Sequence, residues 1–497
     1  MKCALIIPAW TPQELFPAST AGSQINYWQP LGTLYIAACL QRAGHEVRFY
    51  NGAFESHHAI LQQLKHYRPA FVGLYATTFG WHKALNTASD IKQLDARIFI
   101  CAGGPYPIAM SRQCLIDGKD NIDAIVSGEG EFTVTEMVDR LAEGKSLHDV
   151  QGLVFWQGSS LIENTPRILN EDLDALPFPA RDLLDDINNY LPPPATYRRK
   201  PVAVMITSRG CDRRCIFCSQ IDRERKGGRR GIRFRSVENV LQEIELCLQQ
   251  GYKEIKFIDD TLAADRDRLS AICAEIKSRR LDFSWFASAC VNQVDKPLLK
   301  AMKEAGCWAI LFGAESGVQK NLNTLHKGIT LEQTRRAVKA AKDVGLKVST
   351  PFVFGIPGET YTDALQTIDF AIELNPDLAN FHALTAFPGT PLYEQREKYG
   401  KVTTQLTDYT YQGASFTPFN LSRTQIHELR QLALRRFYSR PAYLLRRLLD
   451  IRCWHDCRFA WQGIKSLFVL CWKKKIFYIQ EVKSPGKEQE IITKAAP

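Results

Sequence analysis

The sequence predicts an α/β chain. A doubly wound unit of the Rossmann/flavodoxin-like type comes first, a partial (β/α)6 barrel follows, and a helical region ends the chain. Two observations carry this. Short apolar runs alternate with helix-period segments through residues 1–148, and the alternation restarts after a Pro-rich stretch and runs over 199–394. Such alternation gives parallel sheets with helices packed on their faces. A third observation sets the rest apart: over 395–482 the alternation stops and the sequence becomes Arg-rich and aromatic. The 497 residues are 45% hydrophobic and 23% charged, a globular balance that excludes a wholly disordered or fibrous chain and allows several cores.

In the first unit the strand candidates are Ala4–Ile7, Val47–Tyr50, Phe71–Tyr75, Ile98–Cys101 and Ala124–Val126. Leu31–Arg42 reads as a helix, with Pro30 before it and Gly44 as its stop signal. Parallel doubly wound sheets bind ligands in the loops at the strands' C-terminal ends. Those loops hold Thr77, Thr78, Gly103-Gly104-Pro105 and Gly128-Glu129-Gly130-Glu131. Glycines there let backbone approach a large flat ligand, although an ordinary tight turn explains each loop as well.

Residues 149–198 read as a hairpin (Gly152–Trp156, Leu161–Glu163) followed by a linker, since the repeated prolines of 176–195 continue neither a helix nor a central strand. In the barrel the strand candidates are Val202–Thr207, Glu254–Ile258, Phe283–Ala289, Trp308–Phe312, Val348–Phe354 and Asn380–Ala386, with helices such as Val237–Gln250 and Leu331–Val344 between them. Residues 483–497 read as a polar, disordered tail.

Just after the first barrel strand stands Cys211-x3-Cys215-x2-Cys218. Three thiolates in eight residues can hold three corners of a cubane iron–sulfur cluster and leave its fourth iron open. The alternative is zinc, but structural zinc sites are closed by four ligands, and no Cys or His follows Cys218 until Cys247. Other strand ends carry polar groups. Asp259-Asp260 follows the second strand, Glu315 the fourth, and Gly355-Ile-Pro357-Gly358-Glu359 the fifth. Each alone reads equally as a turn with a solvated carboxylate.

The cysteine motif, with Phe217 before its last cysteine, resembles that of the radical S-adenosylmethionine (SAM) superfamily, and the strand-end fragments, four with Ala386-Phe-Pro-Gly-Thr-Pro391 after the sixth strand, follow in that family's order. The resemblance implies a [4Fe–4S] cluster on Cys211, Cys215 and Cys218, with SAM chelated at the open iron and cleaved to a 5′-deoxyadenosyl radical. It places Asp260, Glu315, Gly355, Pro357, Gly358 and Glu359 on the SAM side. It also implies an electron donor of flavodoxin or ferredoxin type.

A doubly wound unit ahead of such a barrel resembles the cobalamin-dependent branch of that superfamily, through Pro30-Leu-Gly-Thr33, Gly103-Gly-Pro-Tyr106 and Gly128-Glu-Gly-Glu131. The implied ligand is a corrinoid between the two domains, lined by Thr77, Thr78, Gly103–Pro105 and Gly128–Glu131. The Asp-x-His-x-x-Gly motif of corrinoid modules is missing: residues 50–58 read Tyr-Asn-Gly-Ala-Phe-Glu-Ser-His-His, and His57 and His58 are expected at an exposed helix start rather than on cobalt. The resemblance implies methylation of an unactivated carbon; a hydrophobic metabolite, an isoprenoid lipid or a tetrapyrrole, is the substrate expected if the basic C-terminal segment meets a membrane. Two alternatives stand beside it: radical oxidation or ring closure without net methyl transfer, and a zinc-stabilised nucleic-acid-binding protein.

The net charge of +10 is concentrated, since residues 435–475 hold eleven Lys/Arg against Asp450 and Asp456. Interleaved with Phe437, Tyr438, Tyr443, Trp454 and Trp461, these charges suit an anionic membrane surface, a helical cap on the barrel, or RNA. Cys453, His455 and Cys457 are expected to be neutral helix positions rather than a metal site. Fourteen cysteines without an export signal, and no apolar stretch of membrane-spanning length, predict a reducing cytoplasm, with peripheral contact at the inner membrane face if the basic segment binds lipid.

Overall fold

The structure, a computed structural model, describes residues 1–11, 14, 27–193, 196–219, 231–410 and 413–449. The first unit is a seven-stranded sheet of β1 (Lys2–Ile7), β2 (Glu46–Asn51), β3 (Phe71–Tyr75), β4 (Phe99–Gly103), β5 (Ala124–Val126), β6 (Leu153–Gln157) and β7 (Ser160–Glu163), in the order β2-β1-β3-β4-β5-β6-β7. The first five strands are parallel and have the flavodoxin-like order. They are buried on both faces, with one apolar layer around Ile6, Val72, Trp81 and Ile100 and another around Leu5, Phe71, Val134 and Met137. The chain reverses its direction of winding between β1 and β3, so the loop Ala76–Gly80 opens at the switch point.

The hairpin expected ahead of the linker belongs to this sheet. Strand β6 pairs antiparallel with β5 through Ala124↔Phe155 and Val126↔Leu153, burying Leu153, Val154 and Phe155. The Pro-rich segment is a packed brace as well. Leu173, Leu176 and Leu184 are buried, and the Arg181 guanidinium reaches Glu243 at 2.6 Å inside the protein.

The barrel sheet holds β8 (Val202–Met205), β11 (Glu254–Phe257), β12 (Ser284–Ala289), β13 (Cys307–Phe312), β14 (Lys347–Phe354) and β15 (Leu378–Ala383), all parallel and neighbouring in chain order. Between β8 and β11 lies a two-stranded ribbon, β9 (Ser208–Arg209) and β10 (Arg233–Phe234). The main core lies between the sheet's outer face and its helices, around Ile244, Trp285, Ile310 and Phe352. The open edge of β8 is closed by the preceding chain: Val204 N donates to Gln29 Oε1 at 3.0 Å, and Arg181 Nη2 donates to Val204 O at 2.7 Å. Unpaired strand edges are aggregation-prone, and these two side chains satisfy this one.

The C-terminal region is not purely helical, because β16 (Gly400–Val402) and β17 (Phe416–Pro418) form an antiparallel ribbon first. Helix Arg423–Tyr438 then packs on the barrel, where Phe437 is fully buried against Phe381. Tyr438 Oη donates to Ala379 O at 2.8 Å, and Tyr443 Oη donates to Asp377 O at 3.0 Å. Phe437, Tyr438 and Tyr443 thus cap the barrel and are not available to a membrane surface. Trp454, Trp461, Cys453, His455, Cys457 and the tail 483–497 lie outside the described residues. No helix among the described residues is long and apolar enough to cross a membrane.

Candidate active site

The cysteine loop is held from below and from its middle. Asp259, buried at the end of β11, accepts hydrogen bonds at Oδ1 from Thr207 N (3.0 Å), Thr207 Oγ1 (2.8 Å) and Ser208 Oγ (2.6 Å). That fixes the chain three residues ahead of Cys211. Within the loop, Ile216 is buried among Leu325, Val353, Ile356, Leu392 and Phe416. Ile216 N donates to Leu325 O at 3.1 Å, and Leu392 N donates to Ile216 O at 2.9 Å. This apolar plug anchors the turn, leaving Cys211 buried and Cys215 and Cys218 partly exposed.

The thiols act on one another. Burial pushes Cys218 up to about 12, and the Asp260 carboxylate, Cys215 and Cys211 push the same way. Burial also raises Cys215; Lys327 opposes that rise, while Glu315 and Cys211 add to it. No three His, Cys, Asp or Glu side chains among the described residues gather around one point as ligands of a single metal ion do. Cys211, Cys215 and Cys218 share one short loop and interact electrostatically. A bound cationic cluster deprotonates coordinating thiols outright, so the residues present fit that group.

Glu315 follows β13 in a left-handed conformation, φ 60°. Glu315 N donates to Pro351 O at 3.0 Å and Val353 N donates to Glu315 O at 2.9 Å, which ties this turn to β14. Its carboxylate meets Lys327 Nζ at 2.7 Å. Burial alone lowers the Lys327 pKa; Glu315 and Cys215 reverse that and hold it above the ordinary lysine range. Gly313 makes room for the pair, since a Cβ there would lie 2.5 Å from Glu315 Oε1 and 2.6 Å from Lys327 Nζ.

Glu359 is wholly buried and turned back on its own loop. Its Oε2 accepts from Gly355 N (2.7 Å) and Ile356 N (3.3 Å), and its Oε1 accepts from Asn321 Nδ2 (3.1 Å). Burial pushes its pKa up to about 8 against the two backbone N–H groups. Of the SAM-side candidates, Asp260 and Glu315 therefore stand beside the cysteine loop. Glu359 braces the turn that contains Gly355, Pro357 and Gly358.

At the doubly wound unit, Thr77 and Thr78 follow β3, and Gly103 and Gly104 end β4 before the short helix Pro105–Ala109. Gly104 has φ 108°, and a Cβ on it would lie 2.6 Å from Ala76 O, so only glycine lets the two loops meet. The barrel's Gly389 faces this helix: its Cβ would stand 2.9 Å from Ala109 Cβ. The strand ends of both sheets thus border one seam.

Gly128–Glu131 borders the same seam, but its carboxylates are engaged. Arg209 Nη2 donates to Glu131 Oε1 at 2.5 Å and Arg209 Nη1 reaches Glu129 Oε1 at 3.0 Å; Arg233 clasps Glu129 with both Nη atoms at 2.6 and 2.9 Å. Burial works against the charge of Glu129, yet Arg233 and Arg209 hold its carboxyl below the ordinary range. The loop that leads into Cys211 is therefore bolted to the first unit. Sequence reasoning did not single out Arg209, Arg233 or Lys327, and named Asp259 only as the neighbour of Asp260. As expected, His57 and His58 start a helix, and His57 pairs with Asp90 at 2.7 Å.

Residues 205–371 match the family model of the radical SAM superfamily, and residues 21–138 match that of the B12 binding domain. An uncharacterized methyltransferase, PH0819, of Pyrococcus horikoshii is 34% identical over 460 residues, covering 90% of this chain and 95% of the relative. The chain belongs to the radical SAM superfamily. Its cofactors are those of the cobalamin-dependent branch: a [4Fe–4S] cluster, SAM and cobalamin. The anaerobic magnesium-protoporphyrin IX monomethyl ester cyclase of Rubrivivax gelatinosus is 27% identical over 439 residues, covering 86% of this chain and 76% of the cyclase. The cobalamin-dependent SAM radical enzyme OxsB, solved with aqua-cobalamin and SAM bound, shares the fold, with a TM-score of 0.71 at 17% identity over 94% of this radical SAM chain and 72% of OxsB.

Proposed function

We propose that this radical SAM enzyme is a cobalamin-dependent methyltransferase acting on an unactivated carbon of a hydrophobic small molecule. One observation carries the reading: Arg209, two residues ahead of the first cluster cysteine, is ion-paired to Glu129 and Glu131 of the B12 binding domain. That contact holds the radical-forming loop against the unit that carries the corrinoid. The similarity to the Pyrococcus methyltransferase supports the same reading. When bound, the cluster with SAM supplies a hydrogen-abstracting radical and cobalamin supplies a methyl group.

The chain's own residues then have distinct tasks. Cys211, Cys215 and Cys218 hold the cluster, and Ile216 and Asp259 fix their loop. Glu315, oriented by Lys327, and Asp260 meet polar groups of SAM, while Glu359 keeps the Gly355–Gly358 turn in shape. Thr77, Thr78, Gly103–Pro105, Gly128 and Gly130 border the corrin. Radical methylation needs no protein general base, so the chemistry calls chiefly for positioning and exclusion of competitors. A flavodoxin- or ferredoxin-type donor supplies the electron.

Ring closure or oxidation without net methyl transfer is the second reading, supported by the 27% identity to the anaerobic cyclase. Comparing metabolites of a deletion strain with those of its parent tests both readings. A parental product heavier by one methylene unit than the compound that accumulates in the deletion strain supports methylation. A mass loss of hydrogen alone supports ring closure and ends the methylation reading.

A further inference from the structure

The inner face of β11 rises from a closed floor to an open mouth. Glu254 is 0% exposed, Lys256 6% and Ile258 37%, two residues apart on one face of the strand. The alternate residues Ile255 and Phe257 pack outward among the helices. At the floor, Glu254 is fully engaged by four donors: Arg198 N (2.8 Å), Arg199 N (2.7 Å) and Ser284 Oγ (2.7 Å) on Oε2, and Trp308 Nε1 (2.9 Å) on Oε1.

Lys256 differs. Among the described residues its ammonium makes no hydrogen bond and no ion pair; its polar contacts are two aromatic faces, Phe286 at 4.3 Å and Trp28 at 4.5 Å. Phe286 is its register neighbour on β12. Trp28 comes from the other domain, held there by Gln29, which pairs with Val204 N and donates to Tyr252 Oη at 2.7 Å. Cation–π contacts only partly replace water around a buried ammonium. Burial accordingly pushes Lys256 down to about 7, against the pull of Glu254. An apolar residue at this inward position would pack without that penalty, so the amine marks a place where a ligand completes its surroundings.

We propose that Lys256 anchors a carboxylate on the substrate, with Trp28 and Phe286 flanking the flat apolar body that carries it. One ammonium matches one negative charge, and the aromatic walls suit a planar or ring-bearing skeleton. Lys256 stands on the strand that leads into Asp260, four residues before it. The inference rests on the enzyme reading above and adds a substrate class to it: a hydrophobic carboxylic acid rather than a neutral lipid.

The test uses binding without turnover, so it is independent of whether a methyl group is transferred. Full-length protein loaded with cluster and cobalamin is titrated calorimetrically with 2-naphthoate and with 2-naphthamide, shapes of equal size that differ in charge. Naphthoate is expected to bind at least about tenfold tighter, the scale of a charge-assisted hydrogen bond, and K256M to bind both alike. Equal binding by the parent protein, or a preference that survives in K256M, overturns the proposal. Reductive methylation of the parent, read by peptide mass spectrometry, supplies a measurement that does not depend on the variant folding. Naphthoate is expected to shield Lys256 while naphthamide leaves it reactive; equal labelling in both overturns the proposal.

Discussion

Arg209 Nη2 donates to Glu131 Oε1 across 2.5 Å, joining the strand that leads into the Cys211–Cys218 loop to the first turn of a helix in the B12 binding domain. The two residues are far apart in sequence, and both side chains are largely withdrawn from solvent. Removing one partner of a buried pair leaves the other charge uncompensated, which typically costs about 3–5 kcal/mol. R209M is therefore expected to lower unfolding stability by about 3 kcal/mol and to weaken cobalamin retention. The double variant R209M/E131Q is expected to lose less than the sum of its single variants, because the pair is coupled. Chemical unfolding and cobalt content after gel filtration check both outcomes.

Gly313 gives a prediction about the SAM side. A methyl group there intrudes on Glu315 and Lys327 together, and overpacking of this kind costs about 1–3 kcal/mol. G313A is expected to weaken SAM binding about tenfold, the equivalent of about 1.4 kcal/mol, while iron content stays at the parental level. Equilibrium dialysis with labelled SAM, paired with iron analysis, separates the two effects.

Glu359 makes stability depend on pH. Its pKa is raised from 4.5 in the open chain to about 8 in the fold, so the folded protein binds the extra proton between these values. Its contribution is complete below about pH 4.5 and is lost as pH rises through about 8, with a slope of at most about 1.4 kcal/mol per pH unit. E359Q, which mimics the protonated acid, removes this dependence. Between pH 6 and 8 the parent is expected to lose stability relative to E359Q in urea unfolding. A constant difference between the two proteins contradicts the assignment.

The C-terminal helices are predicted to stabilise the barrel. Phe437 is fully buried and stacks edge-on against Phe381, Tyr438 and Tyr443, so F437A is expected to cost about 3–5 kcal/mol. Leu445 is 60% exposed, and L445A is expected to stay within about 0.5 kcal/mol of the parent. Denaturant midpoints of the two variants, measured side by side, check the contrast.

The strands of both sheets were legible because a parallel sheet buries both faces, which leaves runs such as Trp308–Phe312 wholly apolar. The cysteine motif was legible for a different reason: its spacing is local, and local geometry writes itself into sequence. What stayed hidden depends on partners brought together by the fold. Nothing near Arg209 or Lys327 announces Glu131 or Glu315 as its partner. Residues 153–163 read as a hairpin because two apolar runs flank the turn at Gly158, but the sheet edge they join is a tertiary fact. The aromatics Phe437, Tyr438 and Tyr443 were ambiguous because a helix facing a barrel and one facing lipid carry the same apolar stripe. Strands β16 and β17 are three residues each, too short for periodicity to register.

The central claim is a cluster with an open iron held by Cys211, Cys215 and Cys218. Electron paramagnetic resonance of the anaerobically reduced protein, with and without SAM, tests it most directly. A reduced [4Fe–4S] signal that changes when SAM is added, and is missing in C215A, is the expected result. A signal that SAM leaves unchanged, or a C215A protein that keeps the parental spectrum and its response, would contradict it.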